Sequence, residues 1–232
     1  MRNPRRTLSL AACLLVSLAL TPVVRAQEES VKPGINKSYA NVDLDQRIKQ
    51  FERSNRDVVE KLDEIIAACE LKSGMAAADI GAGTGVFTRP FAPKVGPDGK
   101  VYAVDITQKF LDHIEKTCRE KKLENVECIL CSDTSTKLPT ESIDVAFICN
   151  TYHHFEYPYK MLASIHQSLR PRGRLIVIDF KKEKGVSPEW VFGHVRADKQ
   201  TVVDEIAKAG FKLIDNDSDL MKRQYVLRFE KE

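Results

Sequence analysis

Short apolar runs alternate with amphipathic segments along most of this chain. The runs at 76–80, 101–106, 126–131, 143–149 and 174–180 have the length of buried strands. Between them, apolar residues recur at helical spacing, as at Phe110, Ile114 and Cys118. Two more strands, 211–214 and 224–229, are predicted after a last helix that Gly210 closes, as an antiparallel pair. This alternation predicts an α/β domain whose mostly parallel sheet is covered by helices on both faces.

The region before the first of these strands has a different character. Residues 27–41 are polar and include Pro33 and Gly34, which predicts an irregular arm. Val58, Leu62 and Ile65 then recur at helical spacing, which predicts one amphipathic helix ending near Gly74. We therefore divide the chain into a leader (1–26), an arm and helical cap (27–71) and an α/β domain (72–232).

The leader has the features of a signal peptide. Three arginines within the first six residues precede a mostly apolar stretch at 8–24, and residues 24–26 offer a cleavage site before Gln27. This predicts export to the periplasm or the extracellular space, with no stable membrane span after cleavage. The alternative is an uncleaved leader that anchors the protein in the membrane. The pair Arg5-Arg6 also weakly resembles a twin-arginine signal, so the export route stays open.

Composition and charge narrow the choice of partner. The 232 residues are 43% hydrophobic and 30% charged, which is ordinary for a globular protein. The net charge of +3 depends on four arginines of the leader, because removing them lowers Lys+Arg from 36 to 32 against 33 Asp+Glu. The remaining chain carries a net charge of −1, and we therefore expect no nucleic-acid partner.

Five cysteines remain after the leader, and an odd number cannot all pair within one chain. Cys128 and Cys131 have CxxC spacing, but they end a predicted strand, whereas redox CxxC motifs open a helix. We expect buried, structural thiols. No group of histidines and cysteines has the spacing of a zinc site, so no metal is predicted.

The most informative stretch is the segment 76–85, AAADIGAGTG. A strand runs into a turn whose glycines allow the backbone to approach a ligand closely, and a helix follows. The spacing is GxGxG after an acidic residue, and it differs from the GxGxxG of dinucleotide enzymes, which bind a pyrophosphate at a helix N-terminus. Asp79 favours a cationic ligand such as S-adenosylmethionine (SAM), whose ammonium group it can bind directly or through water.

Two more acidic residues follow successive strands. Asp105 lies at the end of the second strand, where a carboxylate can accept hydrogen bonds from both ribose hydroxyls. Asp133 follows the third strand and can bind the exocyclic amine of adenine. Because parallel strands end at one edge of a sheet, we expect Asp79, Asp105 and Asp133 to face one crevice.

With these motifs the chain resembles the class I SAM-dependent methyltransferases, and it looks most like the small-molecule branch that contains the ubiquinone/menaquinone C-methyltransferases. The resemblance covers roughly residues 72–210, in the motifs DIGAGTG, VYAVDI, DVAFICNTYHHF and LRPRGRLIVIDF. It implies a Rossmann-like seven-stranded sheet of order 3-2-1-4-5-7-6 with the last strand antiparallel. SAM contacts are predicted at Asp79, Gly81, Ala82, Gly83, Thr84, Gly85, Asp105, Ile106, Asp133, Thr134 and Asn150.

The acceptor side is less well defined by the sequence. His153 and His154 follow the fourth strand, where an imidazole can remove a proton from an acceptor, although packing or helix capping is the alternative. Tyr152 and three residues of the long loop 181–197, Trp190, His194 and Arg196, are candidates for substrate binding. A surface salt bridge is the alternative role for Arg196.

Methyl transfer from SAM to a small or lipophilic acceptor is the function that these motifs predict. The methylated atom (C, O, N or S) stays open. One alternative is an exported SAM-binding or scaffolding protein without catalytic activity, because SAM is made in the cytosol. An NAD-dependent oxidoreductase is a weaker alternative, since the glycine spacing opposes it.

Overall fold

The computed structural model describes residues 27–232. The predicted signal peptide, residues 1–26, lies outside the described residues. Within the described range, no helix is long and apolar enough to cross a membrane.

A seven-stranded sheet of order β3-β2-β1-β4-β5-β7-β6 forms the centre of the fold. Strands β1 to β5 pair in parallel, while β7 is antiparallel to both β5 and β6, so the predicted fold class is confirmed. The strands are β1 (Ala76–Ile80), β2 (Lys100–Asp105), β3 (Val126–Leu130), β4 (Ile143–Cys149), β5 (Leu169–Phe180), β6 (Phe211–Asp217) and β7 (Gln224–Lys231).

Helices cover both faces of this sheet, as the buried central strands require. Alternate residues of β1 point to opposite faces: Ala78 and Ile80 pack in the core beneath α6 and α8, and Ala77 packs in the core beneath α3 and α4. The helices are α1 (Leu44–Phe51), α2 (Asp57–Glu60), α3 (Leu62–Ala68), α4 (Thr88–Val95), α5 (Gln108–Glu120), α6 (Pro158–Ser168), α7 (Glu189–His194) and α8 (Lys199–Lys208).

The structure differs from the predicted elements in three places. The single helix predicted from Val58 onward is two helices, α2 and α3, that meet at Lys61. Strand β5 begins at Leu169, five residues earlier than predicted, because a register shift against β4 accommodates the Pro171-Arg172-Gly173 turn inside the strand. The loop 181–197 contains helix α7.

Helix α1 and the arm before it lie over the carboxyl edge of the sheet. Glu52, directly after α1, pairs with Arg89 of α4 at 2.8 Å. Phe51 of α1 and Tyr39 of the arm both pack against Phe110 of α5, with ring centroids 6.0 and 6.3 Å apart. The arm is therefore tied to the helices that begin at the strand ends, and it roofs the space above them.

Candidate active site

A cavity of about 540 Å³ opens at the carboxyl ends of β1 to β5, beneath the arm and α1. This volume is in the range of small-molecule sites, and the place is where α/β sheets bind ligands. Asp79, Asp105 and Asp133 all line it, so the three acidic residues share one cavity as expected. The other predicted cofactor residues in its wall are Gly81, Ala82, Gly83, Thr84, Ile106 and Asn150.

Asp79 lies near the carboxyl end of β1, lines the cavity and is almost fully buried. Its Oδ2 accepts a hydrogen bond of 2.6 Å from the Thr88 hydroxyl at the start of α4. Burial raises the pKa of Asp79 to about 7, and the nearby Asp105 carboxylate contributes in the same direction. A cationic group bound beside Asp79 would favour the ionised carboxylate, so this residue is suited to an ammonium ligand.

Asp105 joins the glycine loop to the second strand. Its Oδ2 accepts from the backbone N–H of Gly83 at 2.9 Å, and its Oδ1 accepts from the N–H of Thr107 at 2.8 Å. Burial raises the pKa of this carboxyl group. A carboxylate has about four lone-pair sites, so two fixed backbone bonds leave acceptor capacity toward the cavity for a pair of hydroxyls.

Asn150 and Thr84 carry polar atoms without a protein partner. Both amide atoms of Asn150 and the hydroxyl of Thr84 are buried and have no hydrogen-bond partner among residues 27–232. Asn150 also has a φ of 52°, a left-handed conformation that asparagine tolerates better than most residues. Buried polar groups normally have partners, so these atoms indicate that the cavity holds a polar ligand.

Gly81 fits the turn for a steric reason. Its φ is +74°, and an added Cβ would lie 2.2 Å from Cγ2 of Thr151. The glycine thus lets the loop after β1 pass close to the loop after β4, which keeps Asn150 and Thr151 at the cavity. Thr151 closes this contact through a hydrogen bond of 3.4 Å to the carbonyl of Gly81.

The roof of the cavity contributes two cations, Arg47 and Arg56, that the sequence analysis did not single out. Arg47 and Arg56 line the cavity together with Tyr39, Phe51 and Arg53. The guanidinium of Arg47 lies 4.9 Å from the centroid of the Tyr39 ring, and Arg56 donates to the carbonyl of Phe51. A cationic roof above an acidic floor suits a zwitterionic ligand. Arginines in short polar segments carry no sequence signal that separates them from surface residues.

Three histidines meet in the wall of the cavity. His153 and His154 form the 3-10 turn after β4, and His194 ends α7. One ring nitrogen of each lies within 4.8 Å of the other two. No zinc spacing is visible in the sequence because the third member lies 40 residues further along the chain, on a different loop. The sequence analysis, which considered spacing along the chain, therefore did not predict that these three rings lie together.

Tyr152 and Arg196 occupy positions different from those predicted. Neither belongs to the cavity wall: the Tyr152 hydroxyl donates to Glu205 at 2.8 Å, and Arg196 makes two bonds to the same carboxylate, at 2.9 and 2.7 Å. The Tyr152 ring packs in the core with Val202 and Ile206 of α8, and Arg196 is held beside it by Glu205 of the same helix. Trp190 and His194 do line the cavity.

Two of the predicted cofactor residues also lie outside the cavity wall. The N–H of Gly85 closes the turn on Ala82 at 2.9 Å, and an added Cβ would lie 2.9 Å from Ile114, so this glycine allows close helix packing. The Thr134 hydroxyl lies 3.3 Å from the Ser132 hydroxyl, within its own turn.

The five described cysteines are all free thiols. Cys131 and Cys149 reach the cavity wall, which the sequence analysis did not predict. Burial raises the pKa of Cys131 to about 12 and that of Cys149 well above its ordinary value. Both groups are therefore neutral at physiological pH and poor nucleophiles.

Comparison with known proteins agrees with this geometry. The family model described as "Methyltransferase domain" matches residues 78–177. The ubiquinone/menaquinone biosynthesis C-methyltransferase UbiE of Burkholderia vietnamiensis is 29% identical over 120 residues, which cover 50% of this chain and 48% of that protein. Residues 78–177 thus match a methyltransferase domain, and the chain has the fold of SAM-dependent methyltransferases.

Solved methyltransferase structures share its fold. A SAM-dependent methyltransferase from Aquifex aeolicus superposes with a TM-score of 0.73 at 23% identity, covering 83% of this chain and all of that one. A second, from Mesorhizobium loti, has a TM-score of 0.62 at 14% identity and covers 76% of this chain and 99% of its own. The chain spans about half the length of the curated relatives it matches. SAM is the cofactor that this family implies, and the comparisons do not support an oxidoreductase.

Proposed function

We propose that this methyltransferase transfers the methyl group of SAM to a small or lipophilic acceptor. The observation that carries the proposal is that three strand-end acids line one cavity together with Asn150 and Thr84, whose buried polar atoms have no partner among the described residues. When bound, SAM supplies a methyl group already activated by the sulfonium. The residues of the chain then have to bind SAM, orient the acceptor toward the methyl group and exclude water.

The acidic residues of the floor and the arginines of the roof would bind different groups of SAM. Asp79 would bind the ammonium group, with Thr88 holding the carboxylate in place. Asp105 would accept the ribose hydroxyls, and Asp133 at the cavity rim would bind the adenine amine. Arg47, Arg53 and Arg56 of the roof are the cations available for the carboxylate of the methionine part.

The opposite wall favours an apolar or aromatic acceptor. Phe155, Met161, Phe180 and Trp190 line this side of the cavity, and Trp190 is 50% exposed. Phe180 and Trp190 pack edge to face with centroids 5.0 Å apart, which gives an aromatic corner beside the histidines. Holding the acceptor in line with the methyl group can contribute about 7–11 kcal/mol through effective molarity alone.

Calorimetric titration of SAM into the full chain and into Asp105→Ala tests the cofactor site. We expect saturable binding with one site, and at least about a tenfold loss of affinity in the variant, because each lost charge-assisted bond contributes about 1.5–3 kcal/mol. Asp112→Asn, a change to an exposed acid on α5, is the matched control. Equal SAM affinity in all three proteins would contradict the assigned site.

Transfer of a radiolabelled methyl group to a panel of quinols, phenols, amines and thiols tests the acceptor class. We expect turnover with apolar ring compounds before charged amines. Saturable SAM binding without turnover on any acceptor would favour the alternative of a SAM-binding protein without catalytic activity.

Export remains part of the proposal on the strength of the leader sequence. Its positively charged start and apolar stretch are the features that support a signal peptide. Cell fractionation with antibody detection tests this, with the mature protein expected outside the cytoplasm. A full-length protein found only in the cytosol would contradict it.

A further inference from the structure

We propose that His153, His154 and His194 form a binding site for a divalent transition metal of the zinc type, on the acceptor side of the cavity. One ring nitrogen of each lies within 4.8 Å of the other two. Tetrahedral zinc with Zn–N bonds of about 2.0–2.1 Å holds its nitrogen ligands about 3.4 Å apart. Ring rotations that move each nitrogen by less than about 1 Å would close the group around an ion.

His153 has the outer-shell partner that metal-binding histidines usually have. Its Nδ1 lies 2.7 Å from Oδ1 of Asp179 at the end of β5, and both side chains are buried. The Asp179 carboxylate also accepts from the backbone N–H groups of His153, at 3.0 Å, and Phe180, at 2.8 Å. With the Nδ1 proton held by a fixed carboxylate, the lone pair of the ring lies on Nε2, where it can bind a metal.

His154 is oriented by a second polar partner. Its Nδ1 lies 3.1 Å from Oδ1 of Asn36, whose Nδ2 donates to the backbone carbonyl of His154 at 3.0 Å. This two-point contact from the arm fixes the ring plane and again leaves Nε2 available. Tyr39 packs edge to face against the same ring, with centroids 5.2 Å apart.

The arm also contacts the end of α7, where His194 lies. Lys32 donates to the carbonyls of Gly193 and His194, at 2.7 Å each, and so holds the end of α7 against the cavity. The Lys32 charge opposes a bound cation, whereas the buried Asp179 carboxylate favours one. The centroid of the His194 ring lies 5.2 Å from that of His153 and 5.1 Å from that of His154.

The lowered pKa values of two of these histidines favour metal binding. Burial and the neighbouring histidines lower the pKa of His154 to about 2, and the same two causes lower the pKa of His194. Neutral imidazoles keep their lone pairs, so His154 and His194 are suited to bind a metal.

Three protein ligands leave one coordination position free, as in catalytic zinc sites. The three histidines line the same cavity as Phe180 and Trp190, so an acceptor in the cavity would reach an ion held by them. A phenol or thiol bound there would lose its proton to solvent, and the lone pair of the anion would form the bond to the methyl carbon while the C–S bond breaks toward sulfur. This consequence rests on the proposed methyl transfer, whereas the metal site itself does not.

Titration of the full chain with Co²⁺ and Zn²⁺ in the absence of SAM tests the proposal. We expect one equivalent of Zn²⁺ by calorimetry and the visible absorption of four-coordinate Co²⁺. His194→Ala, at a half-exposed position, should weaken binding at least about tenfold, and Asp179→Asn about 10–100-fold. His113→Ala and His166→Ala change the two histidines outside the group and are the matched controls.

Two results would overturn the metal site. One is no stoichiometric binding of either ion by the wild-type chain while SAM binding is intact. The other is binding that His194→Ala leaves unchanged, or that His166→Ala reduces as strongly. A chain that binds the metal but not SAM would support the site and refute the cofactor assignment, so the two proposals fail separately.

Discussion

Nδ1 of His153 lies 2.7 Å from Oδ1 of Asp179, and only 3% and 2% of these two side chains are exposed. The pair joins the loop after β4 to the end of β5, which are neighbouring strands of the sheet. Because Asp179 also binds two backbone N–H groups, the carboxylate cannot turn away from the ring. The orientation of His153 is therefore set by the fold and does not depend on a bound acceptor.

Asp179→Asn is expected to change the tautomer of His153 while leaving the fold intact. The amide can still accept from one backbone N–H, but its NH₂ group facing Nδ1 would favour the tautomer with the proton on Nε2. Long-range proton–nitrogen NMR of the imidazoles measures this directly, and denaturant unfolding should show a loss of about 1–3 kcal/mol.

Asp112→Asn serves as the control for this substitution, because Asp112 is exposed on α5 and bonds only its neighbour Gln108. An unchanged His153 spectrum in Asp179→Asn would show that Asp179 does not position the ring.

SAM affinity is expected to rise with pH between 5.5 and 7.0. The pKa of Asp79 is raised to about 7, and the neutral acid cannot pair with an ammonium. Ligand binding therefore needs the deprotonated form, whose fraction grows from roughly 3% to 50% over this range and strengthens apparent affinity by roughly 15-fold. The ammonium of SAM stays protonated below about pH 7, so its own titration does not oppose the trend.

Calorimetry at several pH values in buffers of different ionisation enthalpy measures the affinity and the protons released on binding. Asp79→Asn should bind more weakly and lose the pH dependence. A flat profile in the wild-type chain would mean that Asp79 does not titrate on SAM binding.

The sequence predicted the sheet well because each strand is a short apolar run that the core requires. The order of the strands came from the resemblance to the class I SAM-dependent methyltransferases. The shared crevice for Asp79, Asp105 and Asp133 came from acidic residues at strand ends, which are local in sequence. The predicted ends of helices and strands were wrong where tertiary contacts determine them, as at Lys61 and at the early start of β5.

Side-chain partners across the sheet could not be predicted in the same way. Arg196 resembles a binding-loop cation in sequence, but two of its N–H groups donate to the buried Glu205 carboxylate of α8. The histidine group needs two loops to meet, and Asn36 and Lys32 reach it from an arm that has no periodicity. Such contacts join residues distant in the chain, and no local pattern records them.

Gly81→Ala is expected to impair the domain more than Gly74→Ala. Both glycines have positive φ, +74° and +82°, so alanine pays a similar backbone cost of about 1–2 kcal/mol at each. Only at position 81 would the new Cβ collide with a side chain, Thr151 at 2.2 Å, whereas at 74 no described atom lies within 4 Å. The collision adds about 1–3 kcal/mol and moves the loop that carries Asn150.

Unfolding curves and SAM titrations of the two variants separate these effects. Gly81→Ala should lose both stability and SAM affinity, and Gly74→Ala should lose only a little stability. Equal behaviour of the two variants would mean that the approach of Gly81 to Thr151 is not required.

Arg196→Ala is expected to destabilise the fold without directly altering SAM binding. Its guanidinium pairs with Glu205 at 2.7 Å, and the two side chains are only 7% and 11% exposed. Removing the arginine would leave the Glu205 carboxylate buried with the Tyr152 hydroxyl as its remaining side-chain donor, which costs about 3–5 kcal/mol. Arg172→Ala is the matched control, because that arginine is 83% exposed and lies 3.7 Å from Glu230.

Urea unfolding measures the difference in stability between Arg196→Ala and this control. A double substitution of Arg196 and Glu205 by apolar residues should recover part of the loss, since it removes the unpaired charge. Equal stability of Arg196→Ala and Arg172→Ala would place Arg196 outside the structural core and reopen its role in substrate binding.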